Sequence, residues 1–364
     1  MIDRLQQRGR QAVHELERRA RGYLARLRDR VRGHGGDGDY QSRMQTEIAF
    51  YKDVVDINAL PASFCYWSNK YLRPMLEEFG FSNPEQLFAK HLVESAGACG
   101  QSAPVFVSIG AGNCDTEVRV AQLMRAAGLT TFVIECLDMN PHMLERGREM
   151  AAREGVAEHI APLIGDFNHW RATRRYAGVM ANQSLHHVVE LEALFDEIKR
   201  ALEPRAYFVT SDMIGRNGHQ RWPEALEEVQ RVWRELPERY RYNHQTKQHE
   251  ALYGNWDYSK ECFEGIRAQD IVPLLLERFD FHLFIGFGNV LDVFLERGFG
   301  PNYDPEREWD RDFIDRLHAF DEEGLKSGRW TPTKMMAVLT TDTAGAGRLY
   351  SRGISPQASV RRPT

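Results

Sequence analysis

Two adjacent histidines, His186 and His187, stand near the end of the run YAGVMANQSLHHV at Tyr176–Val188. An imidazole titrates near ~6.5 and can take or give a proton at neutral pH, which suits general acid–base work. Upstream, Gly110-Ala111-Gly112 breaks the apolar run Val105–Ile109 and opens into Asn113-Cys114-Asp115-Thr116-Glu117. Glycines at such a turn let the backbone approach a ligand that a Cβ would hold away. Asp138 follows the next apolar run, 26 residues beyond Gly112, and Asp166 follows the third. Each group with chemistry therefore comes just after a stretch that reads as a strand.

Those stretches must position the groups. A strand, a glycine turn and a polar helix start are the parts of a nucleotide-binding crevice at the edge of a parallel sheet. Strands are predicted near 105–109, 132–136, 161–164, 177–181 and 206–211, with later ones at 279–287 and 334–341. Helical patterns alternate with them. Val188, Leu191, Leu194, Phe195, Ile198 and Leu202 share one helical face that stops at Pro204. Such alternation predicts an α/β, Rossmann-like fold covered on both faces. Residues 1–38 read as a basic helix and flexible linker, 39–100 as a helical cap and 101–341 as the core. Helical inserts are expected at about 216–275 and 289–331, and residues 342–364, rich in Gly, Ser, Arg and Pro, read as a disordered tail.

Composition narrows the function classes. The chain has 364 residues and a net charge of −5. Residues 1–32 hold ten arginines against Asp3, Glu15, Glu17 and Asp29, a net +6, so the remainder carries −11. An acidic body argues against nucleic acid, which needs a basic footprint. The basic segment suits a solvated or partner-packed helix, or one lying on anionic lipid. No run approaches the ~20 apolar residues of a membrane span, and the N-terminus lacks the apolar stretch of a secretory signal. Cys65, Cys99, Cys114, Cys136 and Cys262 form no CxxC pair, which fits a cytoplasmic protein without a disulfide framework. The histidines lack a tight ligand spacing, so no metal is expected.

SIGAGNCDTE, ECLDMNPHML, LIGDFNHW and YAGVMANQSLHHV, in that order, resemble the class I S-adenosylmethionine-dependent methyltransferases over about residues 100–215. The resemblance implies a seven-stranded, mostly parallel sheet with helices on both faces, here with an N-terminal helical segment and helical inserts after strands five and six. It implies S-adenosylmethionine as cofactor, approached by Gly110, Ala111 and Gly112. Asp138, beside Met139, is expected to accept hydrogen bonds from the ribose hydroxyls. Asp166 and Phe167 are expected at the adenine, and Asn182 at the end of the fourth strand. Two positions depart from the family pattern. Ser108 stands two residues before Gly110, where an acid is often found, and Cys114 replaces a third glycine. These leave the partner of the methionine ammonium unassigned, with Glu117 readable as a helix-start acid favoured by the dipole. A nicotinamide dehydrogenase competes poorly: Asp115 would fall on its third glycine, and its only YxxxK match, Tyr66 to Lys70, lies upstream of the turn.

The acceptor is read from less. Asn182-Gln183-Ser184-Leu185 lacks the Pro-Pro-aromatic sequence of amino-methylating nucleic-acid and glutamine enzymes. The family places residues facing the transferable methyl where His186 and His187 stand. One of the two, as base, implies a hydroxyl acceptor; a histidine that only shapes the pocket is the alternative. N- or C-methylation of a small molecule, or a non-catalytic scaffold with this fold, are the competing functions. His219, Trp222, Tyr240, Tyr242, His244, His249 and Trp256 gather in the first insert, a composition suited to a sugar-like acceptor. YWSNKYLRP at Tyr66–Pro74, SDMIGRNGHQRW at Ser211–Trp222 and GIRAQDIVPLLLERF at Gly265–Phe279 are similar to bacterial methyltransferases encoded among glycan and natural-product genes. That subgroup implies a saccharide or secondary-metabolite acceptor, with Tyr66, Trp67 and Lys70 as lid residues and Asp212, His219 and Trp222 on the substrate.

Overall fold

The computed structural model describes residues 40–45, 48, 60–260, 262–342 and 347–361. The predicted basic helix and linker at 1–38 lie outside the described residues. Residues 40–45 are helical. Helix α1 (Ala62–Trp67) runs through a π-helical turn (Ser68–Leu72) into α2 (Arg73–Glu77). Helix α3 (Pro84–Cys99) starts at Asn83, whose side chain accepts from Gln86 N at 2.9 Å, with Pro84 in the first turn. It stops at left-handed Gly100. These are the signals that begin and end a helix in water.

The expected cap at 39–100 is divided in the structure. Leu87, Phe88 and Leu92 of α3 are fully buried, and Ser95 Oγ donates to Ala177 O at 2.5 Å. Helix α3 therefore belongs to the core layer, and the boundary expected at residue 100 moves to the start of α3.

The strands among the described residues are β1 (Val105–Ile109), β2 (Val133–Asp138), β3 (Ile160–Ile164), β4 (Tyr176–Asn182), β5 (Leu202–Met213), the short β6 (Tyr242–Asn243) and β7 (Gln248–His249), β8 (Asp280–Phe287), β9 (Lys334–Thr340) and β10 (Leu349–Tyr350). Between and after them come α4 (Asp115–Ala126), α5 (Pro141–Arg153), α6 (Leu191–Ala201), α7 (Pro223–Glu235), α8 (Ile271–Arg278), α9 (Asp292–Leu295) and α10 (Glu308–Lys326). The main sheet runs β10-β8-β9-β5-β4-β1-β2-β3. Strand β9 is antiparallel to both β5 and β8; the other pairs are parallel. Order reverses between β1 and β4, which opens a crevice at their carboxyl ends. Strand β5 begins before Pro204 rather than at 206, because Leu202 pairs with Tyr176 and the register then shifts. Left-handed Arg205 takes up that irregularity.

Two expectations are corrected. Among its described residues up to 270, the first insert is α-helical only in α7; the rest is loop, 3-10 turns and the β6–β7 hairpin. The second insert is helical in α9 and α10, as expected. The tail expected to be disordered from 342 folds back over residues 347–361, and β10 adds an eighth strand beside β8. Its arginines find partners: Arg352 pairs with Glu322 and Gly286 O, and Arg361 reaches Glu224 at 3.1 Å. Composition pointed to disorder, whereas the segment carries tertiary ion pairs and the buried Ile354. No helix among the described residues is long and apolar enough to cross a membrane.

Candidate functional site

Strand β1 runs into Gly110, left-handed at φ 71°, whose N–H donates to Leu137 O at 2.9 Å. A Cβ on Gly110 would lie 2.5 Å from Ser184 Cβ, so the turns after β1 and β4 pack directly together. Ser184 Oγ seals that contact by donating to Ile109 O at 2.7 Å. Gly112 is also left-handed. Cys114, where a third glycine was expected, takes φ 56° and is fully buried. Its thiol occupies the space where a Cβ on Gly147 would be, 2.6 Å away. The glycine missing from the turn thus has a counterpart on α5.

Asp138 ends β2 and is largely buried. Its Oδ2 accepts from Gly112 N and its Oδ1 from Asn140 N, each at 2.8 Å. A carboxylate oxygen holds two lone-pair sites, so these amides aim the group without exhausting it. Gly110, Ala111, Gly112, Asp138, Met139, Phe167 and Asn182 line one cleft, together with Glu117 and His187. Ile48 and Asn140 also line it, and Asn140 Nδ2 donates to Ile48 O at 3.2 Å. Neither was singled out in the sequence, because the contact joins residues 92 positions apart.

Asp166 is placed elsewhere. It caps the 3-10 turn Phe167–His169 and accepts from Tyr40 Oη at 2.7 Å, Asn168 N at 2.9 Å and His169 Nδ1 at 2.9 Å. It is not among the residues lining the cleft. Its neighbour Phe167 does line the cleft.

After β4, the 3-10 turn Leu185–His187 is gripped by Asp212, which is 0% exposed. Asp212 Oδ2 accepts from Ser184 N at 2.9 Å and Leu185 N at 2.7 Å. Its Oδ1 meets His186 Nδ1 at 2.6 Å and Met213 N at 2.8 Å. Both oxygens are committed, so Asp212 builds the turn; the expectation that it contacts substrate is corrected.

His186 and His187 part company here. The His186 side chain is 3% exposed and His187, on the cleft, 15%. Burial pulls the His186 imidazolium down, but the Asp212 and Glu264 carboxylates outweigh it and hold the pKa up to about 10. An imidazole protonated at neutral pH cannot accept a proton.

Glu264 joins the cluster from the first insert. It lies 2.7 Å from His219 Nε2, 3.4 Å from His186 Nε2 and 3.4 Å from His187 Nε2. Burial would raise its pKa, but the three histidines hold it well below the usual carboxylate range. Sequence reading missed Glu264, although it immediately precedes the segment at Gly265–Phe279 that carried part of the resemblance. Its histidine partners are too distant along the chain for spacing to show them.

Among the described residues, His186, His219 and Glu264 bring metal-ligand atoms within 4.8 Å of one another, a gathering the sequence spacing did not suggest. In this structure His219 Nε2 bonds the Glu264 carboxylate directly at 2.7 Å, while His186 Nε2 lies 3.4 Å from it as an ion-pair partner.

The remaining candidates scatter. Tyr66 Oη and Lys70 Nζ reach Asp315 at 3.1 Å and 2.7 Å, and Trp67 Nε1 reaches His318 Nδ1 at 3.2 Å. They bind α10 and not the cleft, which corrects their reading as lid residues. Trp222 lies under Arg361, 4.4 Å from its ring centroid. Tyr240 stacks on Tyr303 and Trp309, Tyr242 contacts His244 and His249, and Trp256 is exposed. Of the aromatic and histidine residues of the first insert, His219 is the one placed at the Glu264 cluster.

Residues 102–278 match the family model described as "Methyltransferase domain". No curated protein matches the chain. Among solved structures, the CcbJ methyltransferase from Streptomyces caelestis is 22% identical, with a TM-score of 0.29, covering 38% of this chain and 53% of its own. An S-adenosylmethionine-dependent methyltransferase from Clostridium acetobutylicum ATCC 824 is 11% identical, with a TM-score of 0.30, covering 42% and 63%. StiE O-MT residues 961–1257 is 9% identical, with a TM-score of 0.41, covering 79% and 84%. The chain thus spans about half the length of the first of these and under two thirds of the second.

The cleft fits the cofactor of such a domain. Cβ-free backbone stands at Gly110 and Gly112, an aimed carboxylate at Asp138 and an aromatic ring at Phe167. Residues 102–278 thus carry a methyltransferase domain, of the class I S-adenosylmethionine-dependent kind, over just under half of the chain.

Proposed function

We propose that this chain transfers a methyl group to a hydroxyl of a sugar-containing or other small secondary-metabolite acceptor, with His187 as general base. The position of His187 carries the reading. It is the member of the histidine pair that lines the cofactor cleft, and its Nε2 faces Glu264 at 3.4 Å. The bound cofactor supplies an electrophilic methyl on a sulfonium. In this reading Asp138 holds the ribose hydroxyls and Gly110, Ala111 and Gly112 let the backbone close on the ligand. Met139 and Phe167 pack the adenine, and Asn182 fixes the floor of the cleft through Thr116 Oγ1 at 3.0 Å. His187 takes the acceptor proton as the oxygen attacks, and Glu264 steadies the imidazolium that forms. Positioning supplies much of the rest, because the displacement must be in line.

Support for the acceptor class is chemical. His219 and Glu264 offer hydrogen-bonding edges next to His187, as a polyhydroxylated molecule requires. The test is to incubate the protein with methyl-labelled S-adenosylmethionine and small-molecule and glycan extracts. Label in an alkali-stable ether is expected. Label in an amine or on carbon would replace the hydroxyl reading by its N- or C-methylating alternative. No transfer to any extract, despite tight cofactor binding, would favour the scaffold.

A further inference from the structure

Ser108 stands where the family pattern often carries an acid, and its side chain points to a substitute. Its hydroxyl donates to Glu117 Oε1 at 2.6 Å, linking β1 to the first turn of α4. Glu117 is 2% exposed and lines the same cleft as Gly110, Gly112 and Asp138. Its Oε2 is buried and has no hydrogen-bond partner. An acid kept only for the helix dipole can serve from the solvent side. A buried carboxylate with an idle oxygen is costly unless a cation completes it. Its acidic neighbours make matters worse: Asp115 on its own helix and Asp138 on β2 raise it by like charge, and the nearby thiols of Cys114 and Cys136, themselves pushed up, supply no compensating cation. Burial, only partly offset by the Ser108 hydroxyl, pushes the carboxyl up to about 7.

We propose that Glu117, seated on Ser108, binds the α-ammonium of the methionine moiety of S-adenosylmethionine and replaces the strand acid this chain lacks. The inference rests on the cofactor assignment and is independent of the methyl acceptor. Oε2 accepts one N–H of the ammonium, and a Glu117 carboxyl still protonated before binding releases its proton to solvent. The contact is charge-assisted and shielded from water, which makes it strong and specific.

The experiment is calorimetric binding of two probes to the purified chain. S-adenosylhomocysteine carries the ammonium; 5′-methylthioadenosine has the same adenosine and thioether without it. Glu117→Gln is expected to weaken the first by about 10- to 100-fold and leave the second unchanged. Ser108→Asp added to Glu117→Gln should return part of the loss. Equal loss for both probes, or no loss for either, overturns the proposal. If Glu117→Gln binds neither probe, the wild-type protein decides. Its preference for S-adenosylhomocysteine should grow several-fold between about pH 6 and about pH 8, as the carboxyl ionises near 7. A flat preference overturns the proposal. A wild-type chain that binds neither probe overturns the cofactor assignment, and this inference with it.

Discussion

Asp212 Oδ1 lies 2.6 Å from His186 Nδ1, and neither side chain reaches solvent appreciably. The same carboxylate holds the amides of Ser184 and Leu185, so one buried charge fixes the turn that presents His187 to the cleft. The histidine that looks catalytic by its neighbours is thus part of the frame.

This pair gives folding stability a pH dependence. The folded state holds the His186 proton with a pKa of about 10, against an ordinary 6.5. The resulting stabilisation is complete below about pH 6.5 and drains away as pH rises through about 10. Urea midpoints are expected to fall across that interval. Asp212→Asn should lower the midpoint at neutral pH and flatten the fall. A midpoint that rises with pH over this range would refute the charged pair.

The two histidines should separate by kind of damage. His187→Ala is expected to lower kcat by about 10²–10⁴, the usual contribution of a general base, while S-adenosylhomocysteine affinity and the urea midpoint stay near wild type. His186→Ala leaves the buried Asp212 carboxylate without its cation and should cost about 3–5 kcal/mol of stability. Near-native turnover in His187→Ala would remove it as the base.

The cofactor cleft was legible because its parts are local. Gly110, Gly112 and Asp138 stand at strand ends and line one cleft, and the strands are marked by their own apolar runs. The same logic misplaced Asp166, because a carboxylate after a strand is equally a cap for a 3-10 turn, and only Tyr40 and His169 show which it is. Glu264 stayed hidden because its meaning depends on His186, His187 and His219, which tertiary folding brings to it. Tyr66, Trp67 and Lys70 had the right composition for a lid, yet Asp315 and His318 on α10 claim them. Side-chain type shows what a group can do; the partner it meets depends on topology.

Cys114 and Gly147 should behave as a coupled pair. Gly147→Ala places a methyl 2.6 Å from Cys114 Sγ and 2.9 Å from Asn113 O, and is expected to destabilise by about 1–3 kcal/mol despite alanine's better helix propensity. Cys114→Gly relieves the sulfur contact and frees a strained left-handed position. The double variant should recover part of the loss, with the Asn113 carbonyl limiting recovery. Strict additivity in a double-mutant cycle would show that the sulfur and the glycine do not share this space.

The C-terminal segment offers a contrast between two arginines. The Arg352 side chain is 13% exposed and bonds both Glu322 and Gly286 O, beside the pairing of Leu349 and Tyr350 with Leu283 and Phe284 on β8. Arg361 also meets a carboxylate, on Glu224, but both side chains are partly solvated. Charge-assisted bonds in a buried setting contribute about 1.5–3 kcal/mol, whereas partly exposed pairs contribute about 0–1 kcal/mol. Arg352→Ala is therefore expected to lower the urea midpoint clearly and to raise amide exchange across Leu283–Phe284. Arg361→Ala should barely move either measure. Removing residues 348–364 uncovers the β8 edge and should add concentration-dependent association, since an unpaired strand edge recruits other chains. If Arg352→Ala matches Arg361→Ala in stability and exchange, the segment is ordered by its apolar contacts, such as buried Ile354, and not by its ion pairs.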